Sequence, residues 1–402
     1  LRPLLALVGI FKNEASNIKE VLDSANPFVD RMTLLDTRSI DNTLDIIENY
    51  LADNSKNSSI LLSKEAVTFD GVKDRRIIDF AANRNVVLDR EAERTGVEGE
   101  SAEFSLMLSG NETLVGGENL RAFLEEHRNA TDDAYTVMIE TGPVAFPYPR
   151  VLRMTGERRR YIFPIHEVPV GKDFQTGGPL IPGVKIVHSE PDPTRLYRRM
   201  REVDIPLLNY LAEAPVTDHI GHISRARAIM HLANTHEKLA EAEPRVPESK
   251  WLFHKMAAMS YFKQRADLEG SSEDVHYALF KYLNVAEQIE IYNDVEMVIR
   301  LEELVKLDPR RPEVWYMLAA HSAQIDPRKG AYLCRETVRV AKEAKENPLF
   351  LPSDTRVEWL AYRIAAECAK VLGKKDAMKT AADRGIAAGG PKEVFSPYLE
   401  NA

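Results

Sequence analysis

Several groups able to bind a ligand stand directly behind apolar runs. Leu4 to Phe11 stops at Lys12, Asn13 and Glu14, and Met32 to Leu35 runs into Asp36, Thr37, Ser39, Asp41, Asn42 and Thr43. Asp79, Arg84 and Asn85 share one later stretch, and Ser109, Asn111 and Glu112 follow the run Phe104 to Leu108. Glu140 closes the run that begins at Tyr135, and His166 and Glu167 follow an aromatic segment. Carboxylates accept hydrogen bonds from N–H and O–H groups or hold a cation, and a planar guanidinium donates to phosphate oxygens in pairs. An Asn carbonyl and an imidazole are serviceable ligands for Mg2+ or Mn2+.

The elements that must position these groups read as strand, helix and strand. Ile18, Val21, Leu22 and Ala25 recur at helical spacing between the first two apolar runs, with Ser16 or Asn17 as the cap. In an open α/β sheet, ligands bind outside the carboxyl ends of the strands, where loops and helix N-termini converge. Both strands end in acids and amides, and GxGxxG is missing, so a dinucleotide is not expected. Asp45 to Leu51 predicts a helix, Ser59 to Leu62 a strand, residues 79–90 a helix, and Tyr135 to Glu140 and Val184 to Val187 two further strands. Such alternation predicts an α/β fold with a mainly parallel sheet. From Pro193 onward the periodicity is helical, which places an α/β domain at residues 1–212 and an all-α domain at 213–402.

The ordered set KNE, then DTRSIDNT about two dozen residues later, then DFAANRN, resembles the nucleotide-binding half of the family-2 glycosyltransferases of GT-A fold. The family writes the second motif D-T/D-G-S-T-D-x-T, so Arg38 stands for its glycine and Ile40 for a threonine. The resemblance covers roughly residues 5–190. It implies a nucleotide-sugar donor, UDP-linked by expectation, contacted by Asn13, Glu14, Asp36, Ser39, Asp41, Asp79, Arg84, Asn85 and Ser109. Ser39 and Asp41 read equally well as caps of the helix beginning near Thr43.

In the family a D-x-D signature follows the strand at Phe104 to Leu108 and holds a divalent ion on the donor diphosphate. Here Ser109 and Asn111 replace both aspartates, and Glu112 is the nearby carboxylate. The resemblance implies a weakly bound Mn2+ or Mg2+ on Asn111 and His166, or reliance on Arg84 instead. Inverting transfer needs a base for the acceptor, and Glu167, Glu112 and Glu140 are the candidates in that order. Arg158, Arg159 and Arg160, with Arg195, Arg198, Arg199 and Arg201, are expected to form a positive rim if they edge one cleft.

The helical half places Trp315, Leu318, Ala319 and Ala331 where tetratricopeptide repeats keep W, L and A, and so resembles a degenerate repeat array. Such arrays supply interaction surfaces or a homodimer interface. The expected acceptor is therefore macromolecular: a protein or glycan first, modified DNA as a minority option. The alternative is a catalytically inactive nucleotide-sugar binder or helical adaptor, suggested by the missing aspartates.

With 44% hydrophobic and 29% charged residues the chain fits a soluble globular protein large enough for two cores. A net charge of −9 argues against general condensation on nucleic acid or anionic lipid. No window is apolar for the roughly 18–20 residues a membrane span needs, and residues 1–11 lack the features of a signal peptide, so neither signal nor anchor is expected. Cys334 and Cys368 lie on helical patterns, which favours reduced buried thiols and a cytoplasmic setting.

Overall fold

Seven consecutive buried residues make Leu5–Phe11 (β1) the centre of the first sheet. A strand covered on both faces needs an uninterrupted apolar run, which LALVGIF supplies. In the computed structural model, which describes residues 2–54, 59–63, 66–69, 77–94, 100–172, 175–189, 192–217, 219–241, 248–349 and 351–400, the chain divides into two compact units. The first comprises Leu1–Gly142 and Pro147–Tyr210, and the second Pro143–Phe146 and Leu211–Ala402.

In the first unit, β1 is followed by Ile18–Ala25 (α1), Arg31–Asp36 (β2), Thr43–Asp53 (α2) and Ile60–Leu62 (β3). Helix α1 buries Ile18, Val21, Leu22 and Ala25, the four residues whose spacing predicts it. The short strands Thr68–Phe69 (β4) and Ile77–Ile78 (β5) pair antiparallel ahead of Phe80–Ala92 (α3). Phe104–Ser109 (β6) and Glu112–Val115 (β7) follow, then Gly117–Glu126 (α4), Ala134–Thr141 (β8) and Val144–Arg153 (β9). Arg160–Ile162 (β10) and Val168–Val170 (β11) form a small antiparallel pair, and Leu180–His188 (β12) returns to the main sheet. Pro193–Arg199 (α5), a π-helical turn over Met200–Asp204 and Ile205–Glu213 (α6) come last.

The main sheet has the order β3-β2-β1-β6-β9-β8-β12-β7. The expectation of a mainly parallel sheet is met in part, because the sheet is mixed. β1, β2, β3 and β6 run parallel, as do β8 and β12, but β9 is antiparallel to β6 and β7 to β12. The physical reason is connection length: only Gly142 and Pro143 join β8 to β9, too few for the crossover that a parallel neighbour requires. The chain proceeds outward from β1 through β2 to β3 and then places β6 on the other side of β1. The carboxyl ends of β1 and β6 therefore flank the topological switch point, with Ile10 in register with Ser109.

Helix α3 is anchored at both ends. Asp79 Oδ1 accepts the Ala82 N–H at 2.8 Å as its N-cap. At the other end Glu91 and Arg94, both wholly buried, pair at 2.7 Å, and Thr33 Oγ1 of β2 donates to Glu91 at 2.6 Å. Replacing Asp79 by Ala is expected to destabilise the chain by about 1 kcal/mol, the usual loss of an N-cap, read as a shifted urea midpoint with unchanged slope.

The second unit is a helical, repeat-like array with one short strand pairing. Its helices are His219–Glu241 (α7), Glu248–Ala266 (α8), Ser272–Gln288 (α9), Asp294–Leu307 (α10), Pro312–Ile325 (α11), Pro327–Glu346 (α12), Val357–Val371 (α13), Lys375–Ala387 (α14) and Lys392–Glu400 (α15), each packed on the next. Local chemistry sets their starts: Ser271 caps α9, Asn293 and Glu296 form a capping box at α10, and Pro312 and Pro327 open α11 and α12. Leu318 and Ala319 enter the core with Phe262, Met297 and Leu301, while Trp315 donates its indole N–H to Pro309 O at 2.8 Å. Cys334 and Cys368 are buried free thiols, and burial pushes Cys334 up to about 12. Ser353 and Asp354 pair with Ala145 and Val144, which groups Pro143–Phe146 with this unit. No described helix is long and apolar enough to cross a membrane.

In the same unit His236 Nδ1 lies 2.9 Å from His254 Nδ1, and burial, with a smaller contribution from the His254 charge, pulls His236 down to about 4. A histidine depressed below its ordinary value of about 6.5 stabilises the fold above that pH and loses its contribution as pH falls through the folded value. The chain is expected to lose stability from about pH 6.5 toward pH 4, with H236F flattening the upper part of that slope in melts taken across the range.

Candidate functional site

The loops after β1 and β2 are laced together by side chains. Asn13 N donates to Ser39 Oγ at 2.9 Å, Asn13 Oδ1 accepts from Ile40 N at 2.8 Å, and Glu14 N donates to Thr43 Oγ1 at 2.7 Å. Asp41 accepts from Thr43 N and Thr43 Oγ1, at 3.1 and 2.5 Å, and from Ala15 N at 3.3 Å. Burial, the largest single influence on Asp41, pushes its carboxyl up, but the hydrogen bonds from Thr43 and Ala15 together outweigh it and draw the group below its ordinary value. Ser39 and Asp41 thus build the loop pair; Asp41 meets the first N–H of α2, at Thr43, whereas Ser39 reaches across to Asn13 and does not cap the helix. Asn13 and Arg38 are held in left-handed backbone, at φ 55° and 68°. That conformation favours glycine, the residue that the resembled motif has in place of Arg38.

Asp36 ends β2 beneath this lacing. Its Oδ2 accepts from Ser39 N at 3.0 Å, and its Oδ1 is buried with no hydrogen-bond partner among the described residues. Glu14 is clamped from outside: Arg195 donates to Glu14 Oε1 at 2.6 Å and to the carbonyls of Lys12 and Asn13 at 2.7 and 2.8 Å. The turn after β6 presses on the same residue, since a Cβ added at Gly110 would lie 2.1 Å from Glu14 Cγ.

Beside these loops lies a buried network of charge. Arg84 of α3 pairs through Nε with Glu167 Oε1 and donates from Nη2 to Ser109 Oγ at 3.1 Å. Ser109 N donates to Glu112 Oε2 at 2.6 Å, while Glu112 Oε1 accepts from Arg150 Nη2 at 2.5 Å and lies 2.7 Å from His188 Nε2. The Arg84 guanidinium carbon stands 5.4 Å from the centre of the Tyr161 ring, and Tyr148 donates its hydroxyl to Glu167 O at 2.5 Å. Burial opposes ionisation of Glu112, but Arg150, then His188 and Arg84, outweigh it and hold the carboxyl well below the usual range. Burial also opposes the charge on Arg84, and Glu167 more than restores it.

The structure therefore brings Asn13, Glu14, Asp36, Ser39 and Asp41 together in one loop pair, and Arg84, Ser109, Glu112 and Glu167 in one network. Asp79 caps α3 and is raised by burial, with the Glu167 charge adding to the effect against the Ala82 N–H. Asn85 turns to the backbone of Tyr161, donating to its carbonyl at 2.8 Å and accepting its N–H at 2.9 Å. Glu140 pairs with Lys185 across β8 and β12 at 2.8 Å. The expected arginine rim needs correction. Arg158 and Arg160 both pair with Asp89, Arg159 is buried on Asp133 and Gly177 O, and Arg199 pairs with Asp204. Carboxylates a short distance away neutralise the run locally.

Of the residues expected near a divalent ion, Glu112 already has its carboxylate engaged by protein donors. Both Glu112 oxygens are occupied by N–H donors, and Asn111 accepts Ser189 N at 2.9 Å through its backbone carbonyl, with its side-chain amide N–H turned toward Ser189 O at 3.4 Å. His166 sits in left-handed backbone at φ 49° in the turn between β10 and β11. Among the described residues no three His, Cys, Asp or Glu side chains gather as a metal-holding group.

Arg150, Tyr148 and Tyr161 join the network without any motif to announce them. The nearest signal for Arg150 is its place in the Pro-rich aromatic stretch FPYPR, which becomes β9. No protein-family model and no curated protein matches the chain. Among solved structures it is similar to one described as the assembly chaperone of RpL4 (Acl4, residues 1–338), at 10% identity over 52% of this chain and 96% of that one, with a TM-score of 0.29, a likeness too distant to bear on fold or function.

Proposed function

We propose that the first unit is a GT-A-type nucleotide-sugar site and that the protein transfers the sugar to a macromolecular acceptor, a protein or glycan. One observation carries the reading: Asp36 presents a buried carboxylate oxygen without a partner at the end of β2, beside the switch point of the sheet. A buried acceptor left unmet costs about 1–3 kcal/mol, and a uracil N–H or a ribose hydroxyl would satisfy it. The left-handed Arg38, at the motif's glycine place, supports the same reading of the loop. The repeat-like helices offer a surface for the acceptor.

A second reading is favoured by a separate observation. Each of the three candidate bases already has a cationic partner: Glu167 has Arg84, Glu112 has Arg150 and Glu140 has Lys185. That arrangement suits a protein that binds a nucleotide sugar without turning it over. Thermal-shift measurements with UDP and UDP-sugars test what the two readings share, because a ligand at 100 times its Kd stabilises by about 2.7 kcal/mol. Stabilisation together with release of UDP supports the transferase, and stabilisation without release supports the binder. No stabilisation by any nucleotide sugar removes both.

A further inference from the structure

Three buried groups of the charge network that can donate a hydrogen bond are unmet. Arg84 Nη1, Arg150 Nε and the Tyr161 hydroxyl have no hydrogen-bond partner among the described residues. The carboxylate side of the network is already served, with both Glu112 oxygens engaged and Glu167 Oε1 on Arg84. The three unmet groups share a neighbourhood: the Arg84 guanidinium packs against the Tyr161 ring, and the Tyr161 hydroxyl feels the charges of both Arg84 and Arg150. Buried donors without acceptors are costly, so a cluster of them is matched by an acceptor-rich ligand. A divalent cation brings no acceptor and would meet two guanidinium charges.

We propose that Arg84, Arg150 and Tyr161 form a metal-free floor for the diphosphate of the bound nucleotide, a proposal that rests on the nucleotide-sugar reading of the loop pair. Guanidinium groups suit this task because their charge is permanent and their N–H fork matches phosphate oxygens. Arg150 is kept in place by Glu112, and Glu112 is kept in place by the β7–β12 pairing, which sets it opposite His188. Glu112 thereby serves as a positioning residue for a cation and not as a ligand of one.

Calorimetric titration of the full chain with UDP, first in EDTA and then with Mn2+, tests the proposal. UDP is expected to bind with the same Kd within about twofold in both, and inorganic pyrophosphate is expected to compete. Y161F keeps the ring and removes only the unmet hydroxyl, so it is expected to weaken UDP about fivefold, leave uridine binding unchanged and leave the melting temperature unchanged. R84K is expected to weaken UDP about tenfold, because an ammonium cannot hold Glu167, Ser109 and a phosphate oxygen in one plane. UDP binding that appears only with Mn2+ overturns the metal-free floor and leaves the nucleotide-sugar reading standing. Binding in EDTA that neither variant weakens also overturns the floor, and no UDP binding under any condition overturns both.

Discussion

Glu112→Ala is expected to destabilise the chain by about 3–5 kcal/mol, the range for removing one partner of a buried charge pair. Glu112 is 1% exposed and serves Arg150, His188 and Ser109 N together. Its loss strands a buried guanidinium and frees the backbone N–H at the end of β6. Urea unfolding at pH 7 checks the magnitude, and a loss below about 1 kcal/mol would show that the hub carries little. The same residue gives a pH signature. A carboxyl whose folded value is depressed stabilises the protein above its unfolded value of about 4.3, and that contribution fades as pH falls toward the folded value. Wild type is therefore expected to weaken progressively below about pH 4.5, and Glu112→Gln to show a shallower acid slope from a lower starting stability.

The second large effect is expected on binding. In Asp36→Asn the amide can keep its carbonyl on Ser39 N, but it replaces the spare oxygen by a donor. A ligand N–H or O–H that met a carboxylate then meets another donor. The loss of a charge-assisted hydrogen bond, about 1.5–3 kcal/mol, corresponds to roughly 10- to 100-fold weaker UDP binding. The melting temperature without ligand is expected to stay near wild type, because Oδ1 makes no hydrogen bond among the described residues. Wild-type affinity for UDP in this variant would remove Asp36 from the proposed nucleotide site.

Much of the first unit is legible in the sequence. The run LALVGIF became β1, RMTLLD became β2, and the helical spacing of Ile18 to Ala25 became α1, because each pattern is the burial pattern of its own element. The stretch from Glu112 to Glu126 is not. Its strand β7 and helix α4 follow a short polar turn, and GGENL carries little apolar periodicity. Reading Glu112 as a loop carboxylate suggested a base, whereas its place at the head of a strand buries it against Arg150 and His188. The arginine run misled in the other direction: Asp89 and Asp133, which neutralise it, are 69 and 26 residues away in sequence and have no visible link to it.

Sequence alone determined the alternating strands and helices of the first half, the helical array of the second, and the placing of polar residues at the carboxyl ends of β1, β2 and β6. These follow from local periodicity and from chain direction. Only the tertiary structure decided what those polar residues touch. Partner choice depends on register and on non-local pairing, as where β7 sets Glu112 beside His188, β9 delivers Arg150, and β10 brings Tyr161 under Arg84. A charge in sequence has no assigned partner until folding removes water from around it.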